Sequence, residues 1–170
     1  MRTLDAVLWY FAYGSNLDPA VFEGRRRIRA LEVCCVRLEG WQLVFDLPVG
    51  PGERAVANLR AEPGATVHGV AYRISRQDGR HLDRTEGVHR GYYKRVTVEL
   101  LGTRSESLEG FTYASPHGRA GRKPSRRYLE LLLRGAAHHG LPADYVRWLE
   151  GHELAVDERE VRLRHSGRPG

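Results

Sequence analysis

The chain has 170 residues, of which 41% are apolar and 28% charged, and a chain of this size buries the core of one compact domain without disulfides or metals. Its two cysteines, Cys34 and Cys35, are adjacent and would point to opposite faces of a strand, which excludes an internal disulfide framework and favours a reducing cytoplasm. The net charge is +6 and no apolar run reaches about 18 residues, so we expect neither a membrane span nor a signal peptide.

The first predicted element is a strand over residues 8–13, which is apolar on both faces, as in a strand buried inside a sheet or barrel. Gly14 then allows the chain to turn. Asp18 and Pro19 resemble a helix cap followed by a proline in the first helical position. They predict a short helix to about Glu23, which Gly24 would end.

Six further strands are predicted between glycine, proline and charged residues. They cover residues 30–38, 41–47, 55–61, 67–74, 92–100 and 108–114. In the fifth of these, apolar and polar residues alternate, which is typical of a half-buried antiparallel strand. Residues 46–54 and 115–122 are predicted to be long mobile loops, of the kind that often set specificity.

Three longer helices are predicted. Ser75 as a cap and Asp78 as its acidic third residue predict a helix to about Glu86, which Gly87 would stop. Apolar residues at helical spacing predict two more, over residues 124–139 and 142–152.

The pattern as a whole predicts an α+β fold, a small mixed β-barrel with flanking helices, because many short strands have few helices between them. We expect one domain over residues 1–152. Residues 153–170 are rich in charge and poor in apolar positions, so we interpret them as a charged C-terminal appendage or tail.

The turn after the first strand is the first candidate site. It leads from a buried strand into a helix, so the N–H groups near Gly14 lie beside a positive helix start, where an anion binds well. Taken alone, however, a Gly-Ser-Asn turn commonly serves only the conformation of a strand exit.

Glu86 is the second candidate. It is predicted to lie at the C-terminal end of a helix, where the macrodipole disfavours a negative charge and raises the pKa of the carboxyl group. A carboxylate of this kind suits general base catalysis near neutral pH. A surface glutamate before a helix-capping glycine is nevertheless the commoner arrangement.

Other chemistries lack their sequence patterns. Ser15 is not in a Gly-x-Ser-x-Gly elbow, and nothing nominates a partnered histidine and aspartate, which argues against a serine hydrolase. The eight histidines show no ligand spacing, so we expect no metal. Neither a Gly-x-Gly-x-x-Gly nor a Walker lysine motif is present, so we expect no nucleotide cofactor.

Two segments together resemble a known family. Residues 10–17, Tyr-Phe-Ala-Tyr-Gly-Ser-Asn-Leu, are similar to the opening signature of the γ-glutamyl cyclotransferase family. Residues 82–88, Leu-Asp-Arg-Thr-Glu-Gly-Val, resemble its catalytic Glu-Gly-Val segment. Further similarity extends in the right order over about residues 8–150.

The resemblance implies a small β-barrel with flanking helices and the cyclisation of a γ-glutamyl group to 5-oxoproline, with release of the attached amine. The substrate's own α-amine attacks its γ-carbonyl, so no enzymic nucleophile and no cofactor are needed. Glu86 is implied to be the acid and base. The implied substrate-binding residues are Tyr13, Gly14, Ser15, Asn16, Leu17, Tyr93, Tyr113 and Tyr128.

Several alternatives stay open at this stage. The leaving amine is by default an amino acid, but an amine, glutathione or a γ-glutamyl-protected natural-product intermediate also fits. A non-catalytic carboxylate-binding module on the same fold is a rival, although binding alone would not need Glu86. The oligomeric state cannot be read from the sequence, and a homodimer is compatible with it.

Two basic runs, residues 25–27 and 119–127, raise a further rival, an RNA-binding protein, because clustered arginines contact phosphates. No aromatic-interleaved ribonucleoprotein pattern, zinc knuckle or recognition helix accompanies them. We therefore favour a solvated basic face that attracts small acidic substrates, and no nucleic-acid partner. The 25 arginines against two lysines also favour a GC-rich, bacterial source.

Overall fold

The structure is a computed structural model and describes residues 6–156. Residues 1–5 lie outside the described residues, as do residues 157–170, which make up most of the predicted appendage. The described part of that appendage, residues 153–156, is irregular and is held to the domain by Ala155, whose N–H donates to the carbonyl of Pro124 at 2.8 Å.

Five strands close into a barrel in the order β1, β3, β2, β4, β5. They are β1 (Val7–Ala12), β2 (Glu32–Pro48), β3 (Ala55–Ser75), β4 (Lys94–Gly102) and β5 (Ser107–Ala114). All neighbours pair antiparallel except β1 and β5, which meet in parallel at Tyr10 and Phe111. The predicted fold class, a small mixed barrel with flanking helices, is therefore confirmed.

Two of the strands are much longer than predicted. Residues 30–38 and 41–47 were predicted as separate strands, yet they fall in one strand, β2, and residues 55–61 and 67–74 both fall in β3. Gly40 and Gly64 adopt positive φ values of 80° and 84°, and the register shifts between Glu39 and Trp41. Bulges at flexible glycines bend the pair of strands without ending it.

The barrel core is apolar, and the backbones of β1 and β3 approach each other closely at the end of β1. Phe11, Ala12 and Val70 are fully buried, and β1 pairs with the second half of β3 from Val7 opposite Ser75 to Ala12 opposite Val70. A Cβ at Gly69 would overlap the carbonyl oxygen of Ala12. Only glycine lets β3 pass this close to the point where β1 leaves the sheet.

The helices lie outside the barrel. Helix α1 (Arg76–Thr85) begins at Ser75, whose Oγ accepts from the N–H of Asp78, and it ends before Gly87, which has a φ of 67°. Both features were predicted from the sequence. Helices α2 (Arg126–His139) and α3 (Ala143–Glu150) follow at the predicted positions. Within residues 6–156, no helix is long and apolar enough to cross a membrane.

The short helix after β1 differs from the prediction. It is a π-helical turn over Ala20–Arg25, with the N–H of Arg26 donating to the carbonyl of Val21 at 2.9 Å. Asp18 caps its start, because its Oδ1 accepts from the N–H of Ala20. The wider turn continues past Gly24 and so determines where the side chain of Arg26 lies.

Candidate active site

A narrow cavity of about 40 Å³ lies where the chain leaves β1. The structure brings together every residue that the sequence analysis nominated except Leu17, and adds Tyr10 and Ala57. The lining residues are Tyr10, Tyr13, Gly14, Ser15, Asn16, Ala57, Glu86, Tyr93, Tyr113 and Tyr128. These side chains come from distant parts of the sequence and meet only in the folded barrel.

The loop after β1 forms a single 3₁₀ turn, Ser15–Leu17. The N–H of Leu17 donates to the carbonyl of Gly14 at 3.0 Å, and the N–H of Asp18 donates to that of Ser15 at 3.0 Å. The N–H groups of Ser15 and Asn16, at the start of the turn, have no partner inside it. The N–H of Ser15 also lies within reach of the Tyr128 hydroxyl, so that hydroxyl and the N–H groups of the turn face the same side of the cavity, where a carboxylate or a carbonyl oxygen can bind.

At Gly14 there is little room for a side chain beside the cavity. A Cβ at this position would lie 3.2 Å from the hydroxyl oxygen of Tyr128, which is tighter than ordinary van der Waals contact. The absence of a side chain thus lets the Tyr128 hydroxyl approach the loop.

Glu86 follows α1, and its N–H still donates to the carbonyl of Leu82 at 2.8 Å. Its side chain is only 13% exposed. Burial raises the pKa of this carboxyl group, while Arg26 and a hydrogen bond from Asn16 act in the opposite direction. The position of Glu86 at a helix end predicts the same direction, but burial is the main cause in the structure.

Two polar residues reach the carboxylate of Glu86. The Asn16 amide donates to Glu86 Oε1 at 3.4 Å and to the hydroxyl of Tyr10 at 2.9 Å. The guanidinium of Arg26 donates to Glu86 Oε1 at 3.3 Å and, through Nε, to Asn16 Oδ1 at 3.4 Å. Asn16, Arg26 and Tyr10 thus form a polar cluster around one carboxylate oxygen.

Arg26 and Tyr10 are functional candidates that the sequence patterns do not reveal. The basic run 25–27 predicts that Arg26 belongs to a solvated face. That interpretation is wrong for Arg26, whose side chain is 26% exposed and paired with Glu86. The π-helical turn brings Arg26 beside Glu86, and the spacing of apolar residues in the sequence does not reveal such a turn. Turns of this kind occur frequently at functional sites.

Tyr93 and Tyr128 both bond to the backbone of Ala57. Ala57 lies in the half of β3 that does not pair with β1. Its backbone N–H and carbonyl groups on that side therefore have no partner from β1. The Tyr93 hydroxyl donates to the Ala57 carbonyl at 3.0 Å, and the Ala57 N–H donates to the Tyr128 hydroxyl at 3.0 Å. Both backbone groups are thereby satisfied, and both hydroxyl groups are held beside the cavity.

The other two nominated tyrosines are also held in place. The Tyr13 hydroxyl donates to the backbone carbonyl of Tyr113 at 2.6 Å. The Tyr113 hydroxyl donates to Asp83 at 2.6 Å, and Arg95 bonds both oxygens of that carboxylate at 3.0 Å. Because its hydroxyl is engaged by Asp83, Tyr113 offers the cavity mainly its ring.

Burial raises the pKa of each of these phenols above its ordinary value. The pKa of Tyr128 is raised to about 12, and burial also raises the pKa values of Tyr10, Tyr13, Tyr93 and Tyr113. They stay protonated at neutral pH. Glu86 is the one carboxylate that lines the cavity among the described residues.

Leu17 does not line the cavity. Its side chain is fully buried, and it packs against α2 at Gly135, where a Cβ would come within 2.6 Å of the Leu17 carbonyl oxygen. The Leu17 side chain thus fixes the base of the loop, and a substrate contact at Leu17 stays a prediction.

The two predicted loops are tied to each other. The N–H of Arg119 donates to the carbonyl of Asp46 at 2.7 Å, and Asn58 donates both to Asp46 and to the carbonyl of Ser115 at 2.9 Å. Asp46 to Pro48, predicted to begin the first loop, belong instead to β2. A role of these loops in specificity stays a prediction.

No group of three or more histidine, cysteine, aspartate or glutamate residues within residues 6–156 is arranged to hold a metal ion.

Comparison with known proteins gives matches over most of the chain. A model of the AIG2-like family matches residues 66–149. The γ-glutamylcyclotransferase of Mus musculus is 30% identical over 148 residues, which cover 85% of this chain and 78% of the relative. The γ-glutamylcyclotransferase of Homo sapiens is 28% identical with the same coverage.

The fold has solved counterparts. A structure described as a γ-glutamyl cyclotransferase superposes with a TM-score of 0.78 at 24% identity, covering 95% of this chain and all of that one. This likeness shows that the barrel fold is shared.

Proposed function

This chain belongs to the γ-glutamylcyclotransferase family, and we propose that it releases 5-oxoproline and a free amine from a γ-glutamyl amide, with Glu86 as the acid and base. The substrate's α-amine is the nucleophile. The protein supplies a narrow cavity whose walls orient the glutamyl chain, and one group that takes and returns a proton.

The single observation that carries this proposal is the position of Glu86. A carboxylate that is 13% exposed, with its pKa raised by burial, lines the same narrow cavity as Gly14, Ser15 and Asn16. A site that only bound the carboxylate of a ligand would not need the buried carboxylate of Glu86, because the negative charge of Glu86 would repel that ligand. A base beside the site of an ammonium group is what the cyclisation requires.

The reaction balances with these parts. Glu86 takes a proton from the α-ammonium group, and the free amine then attacks the γ-carbonyl carbon to form the ring C–N bond. N–H groups of Ser15 and Asn16 stabilise the oxygen on which negative charge develops. Glu86 returns the proton to the nitrogen of the leaving amine as the original amide C–N bond breaks. The second proton of the ring nitrogen passes to the released amine, which leaves as an ammonium ion, so that the lactam keeps one N–H.

Most of the acceleration is attributed to orientation. Holding the α-amine and the γ-carbonyl of one substrate molecule in the reactive geometry can remove a large part of the activation free energy. Few catalytic side chains are therefore needed. The hydroxyl groups of Tyr93 and Tyr128, held by the backbone of Ala57, give the cavity fixed polar walls against which the glutamyl chain can fold.

Incubation with a panel of γ-glutamyl compounds and mass spectrometry of the products tests the proposal. We expect 5-oxoproline and the free amine in equal amounts from at least one member of the panel. Release of glutamate would instead indicate a hydrolase. Binding without any product would indicate the carboxylate-binding module.

The finer assignments stay predictions from the sequence. These are the identity of the leaving amine, with an amino acid as default and a γ-glutamyl-protected natural-product intermediate as alternative, a bacterial source, a cytoplasmic location and a homodimer. The division into a domain of residues 1–152 and an appendage of residues 153–170 is likewise a proposal.

A further inference from the structure

Two side chains support the loop after β1 from behind. Tyr72 lies on β3 and is 3% exposed, and His139 is the last residue of α2 and is half-buried. Neither of them lines the cavity, yet both bond to the backbone of the loop that does.

The hydrogen bonds define where the protons lie. His139 Nε2 is 3.0 Å from the carbonyl oxygen of Leu17 and 3.2 Å from the hydroxyl oxygen of Tyr72. A carbonyl oxygen only accepts, so Nε2 must carry the proton. The Tyr72 hydroxyl donates its own proton to the carbonyl of Asn16 at 2.9 Å. It therefore accepts from His139 while it donates to the loop.

This pair fixes two consecutive carbonyl groups, those of Asn16 and Leu17. Asn16 is the residue whose side chain donates to Glu86 and to Tyr10. A shift of its backbone would therefore move the amide away from the carboxylate and also move the N–H groups of the turn.

Tyr72 also reaches the other partner of Glu86. Its ring stacks on Phe22 with centroids 3.9 Å apart and an interplanar angle of 7°. Phe22 lies in the π-helical turn, and Arg26 directly follows that turn. Tyr72 is thus connected to Asn16 through a hydrogen bond and to the Arg26 turn through a stacked ring.

We propose that Tyr72 and His139 are positioning residues that hold the loop from Gly14 to Leu17, with its Asn16 amide, in the reactive geometry toward Glu86. The role rests on the proposed function. Catalytic groups must keep their places to within a fraction of an ångström, and a misplacement of about 1 Å can cost on the order of 10²-fold in rate.

Three variants at the helix end test the role of His139. We expect His139→Leu, which removes the donor, to lower kcat by at least about tenfold. His139→Gln retains an N–H donor at the end of a flexible side chain, so it should restore most of kcat. Ala137→Leu is the control, because Ala137 is exposed at the same helix end and the variant introduces the same side chain, so it should leave kcat unchanged.

A double-mutant cycle tests the pair. Tyr72→Phe removes the hydroxyl but keeps the ring on Phe22, and it too should lower kcat by at least about tenfold. Because both side chains act on one segment, the double variant should lose hardly more than the worse single variant. Urea unfolding of each variant separates loss of fold from loss of position.

The outcomes separate this inference from the proposed function. If the wild type releases no 5-oxoproline, the proposed function fails, and this role fails with it. If the wild type is active and His139→Leu and Tyr72→Phe keep its kcat, only the positioning role is wrong. Lack of rescue by Gln, or independent losses that multiply in the double variant, would also contradict it.

Discussion

Glu86 is subject to two opposing influences. Burial raises the pKa of its carboxyl group, whereas the charge of Arg26 and the hydrogen bond from Asn16 lower it. A raised pKa makes the carboxylate a stronger base toward the ammonium group of the substrate. The charge of Arg26 and the hydrogen bond from Asn16 stabilise the ionised form with which the reaction starts.

Replacing Arg26 with Gln should raise the pKa of Glu86 further, because the neighbouring cation is lost while burial remains. The reaction needs the ionised form, so the acidic limb of the kcat/KM profile should move to higher pH. Activity should fall most at the acidic end and recover as the pH rises. A pH series with a saturable γ-glutamyl substrate measures the shift.

Arg25→Gln is the matched control for this experiment, since Arg25 is exposed and lies one residue away. Its pH profile should coincide with that of the wild type. An unchanged acidic limb in Arg26→Gln would show that the Arg26 charge does not control the ionisation of Glu86.

At the scale of elements, the position of the loop depends on how closely α2 approaches it. Leu17 and Gly135 are in contact, and His139 bonds to the same carbonyl group four residues further along the helix. The helix and the loop therefore form one packed unit. Small substitutions where α2 contacts the loop should therefore change the geometry of the cavity.

Gly135→Ala sets two effects against each other. Alanine favours a helix over glycine by about 1 kcal/mol, but here its Cβ would lie within 2.6 Å of the Leu17 carbonyl oxygen. Overpacking of this kind costs about 1–3 kcal/mol. We expect a net decrease in the free energy of unfolding, measured in urea, together with a lower kcat.

Gly24→Ala serves as the comparison, because a Cβ there meets nothing within 4 Å. This variant should be as stable as the wild type or slightly more stable. Equal stability and activity of Gly135→Ala and the wild type would mean that α2 can move away from the loop without cost.

The elements also show what the sequence could and could not reveal. The caps at Ser75 and Gly87 depend on residues a few positions apart, so the ends of α1 were predictable. The continuity of β2 and β3 was not predictable, because a glycine such as Gly40 or Gly64 is equally compatible with a turn between two strands and with a bulge inside one strand. The place of Arg26 depends on a π-helical turn, whose spacing differs by one residue from the usual pattern.

At the scale of the whole molecule, the candidate site exists only after the barrel closes. The loop follows β1, Glu86 follows α1, and Tyr113 and Tyr128 lie on β5 and α2. Local sequence patterns indicate the loop and Glu86 separately as candidates. Each pattern is also explained by a purely structural role, as a turn after a strand or as a surface residue at a helix end. Family resemblance joined them, and the fold shows that they line one cavity.

The most direct test of the central claim is the rate of 5-oxoproline release by Glu86→Gln. Gln keeps the size of the side chain and an oxygen for the Asn16 amide, so the fold and ligand binding should persist. The rate should fall by about 10²–10⁴-fold, whereas Glu130→Gln, at an exposed position on α2, should match the wild type. Undiminished release by Glu86→Gln would contradict the assignment of Glu86 as the acid and base.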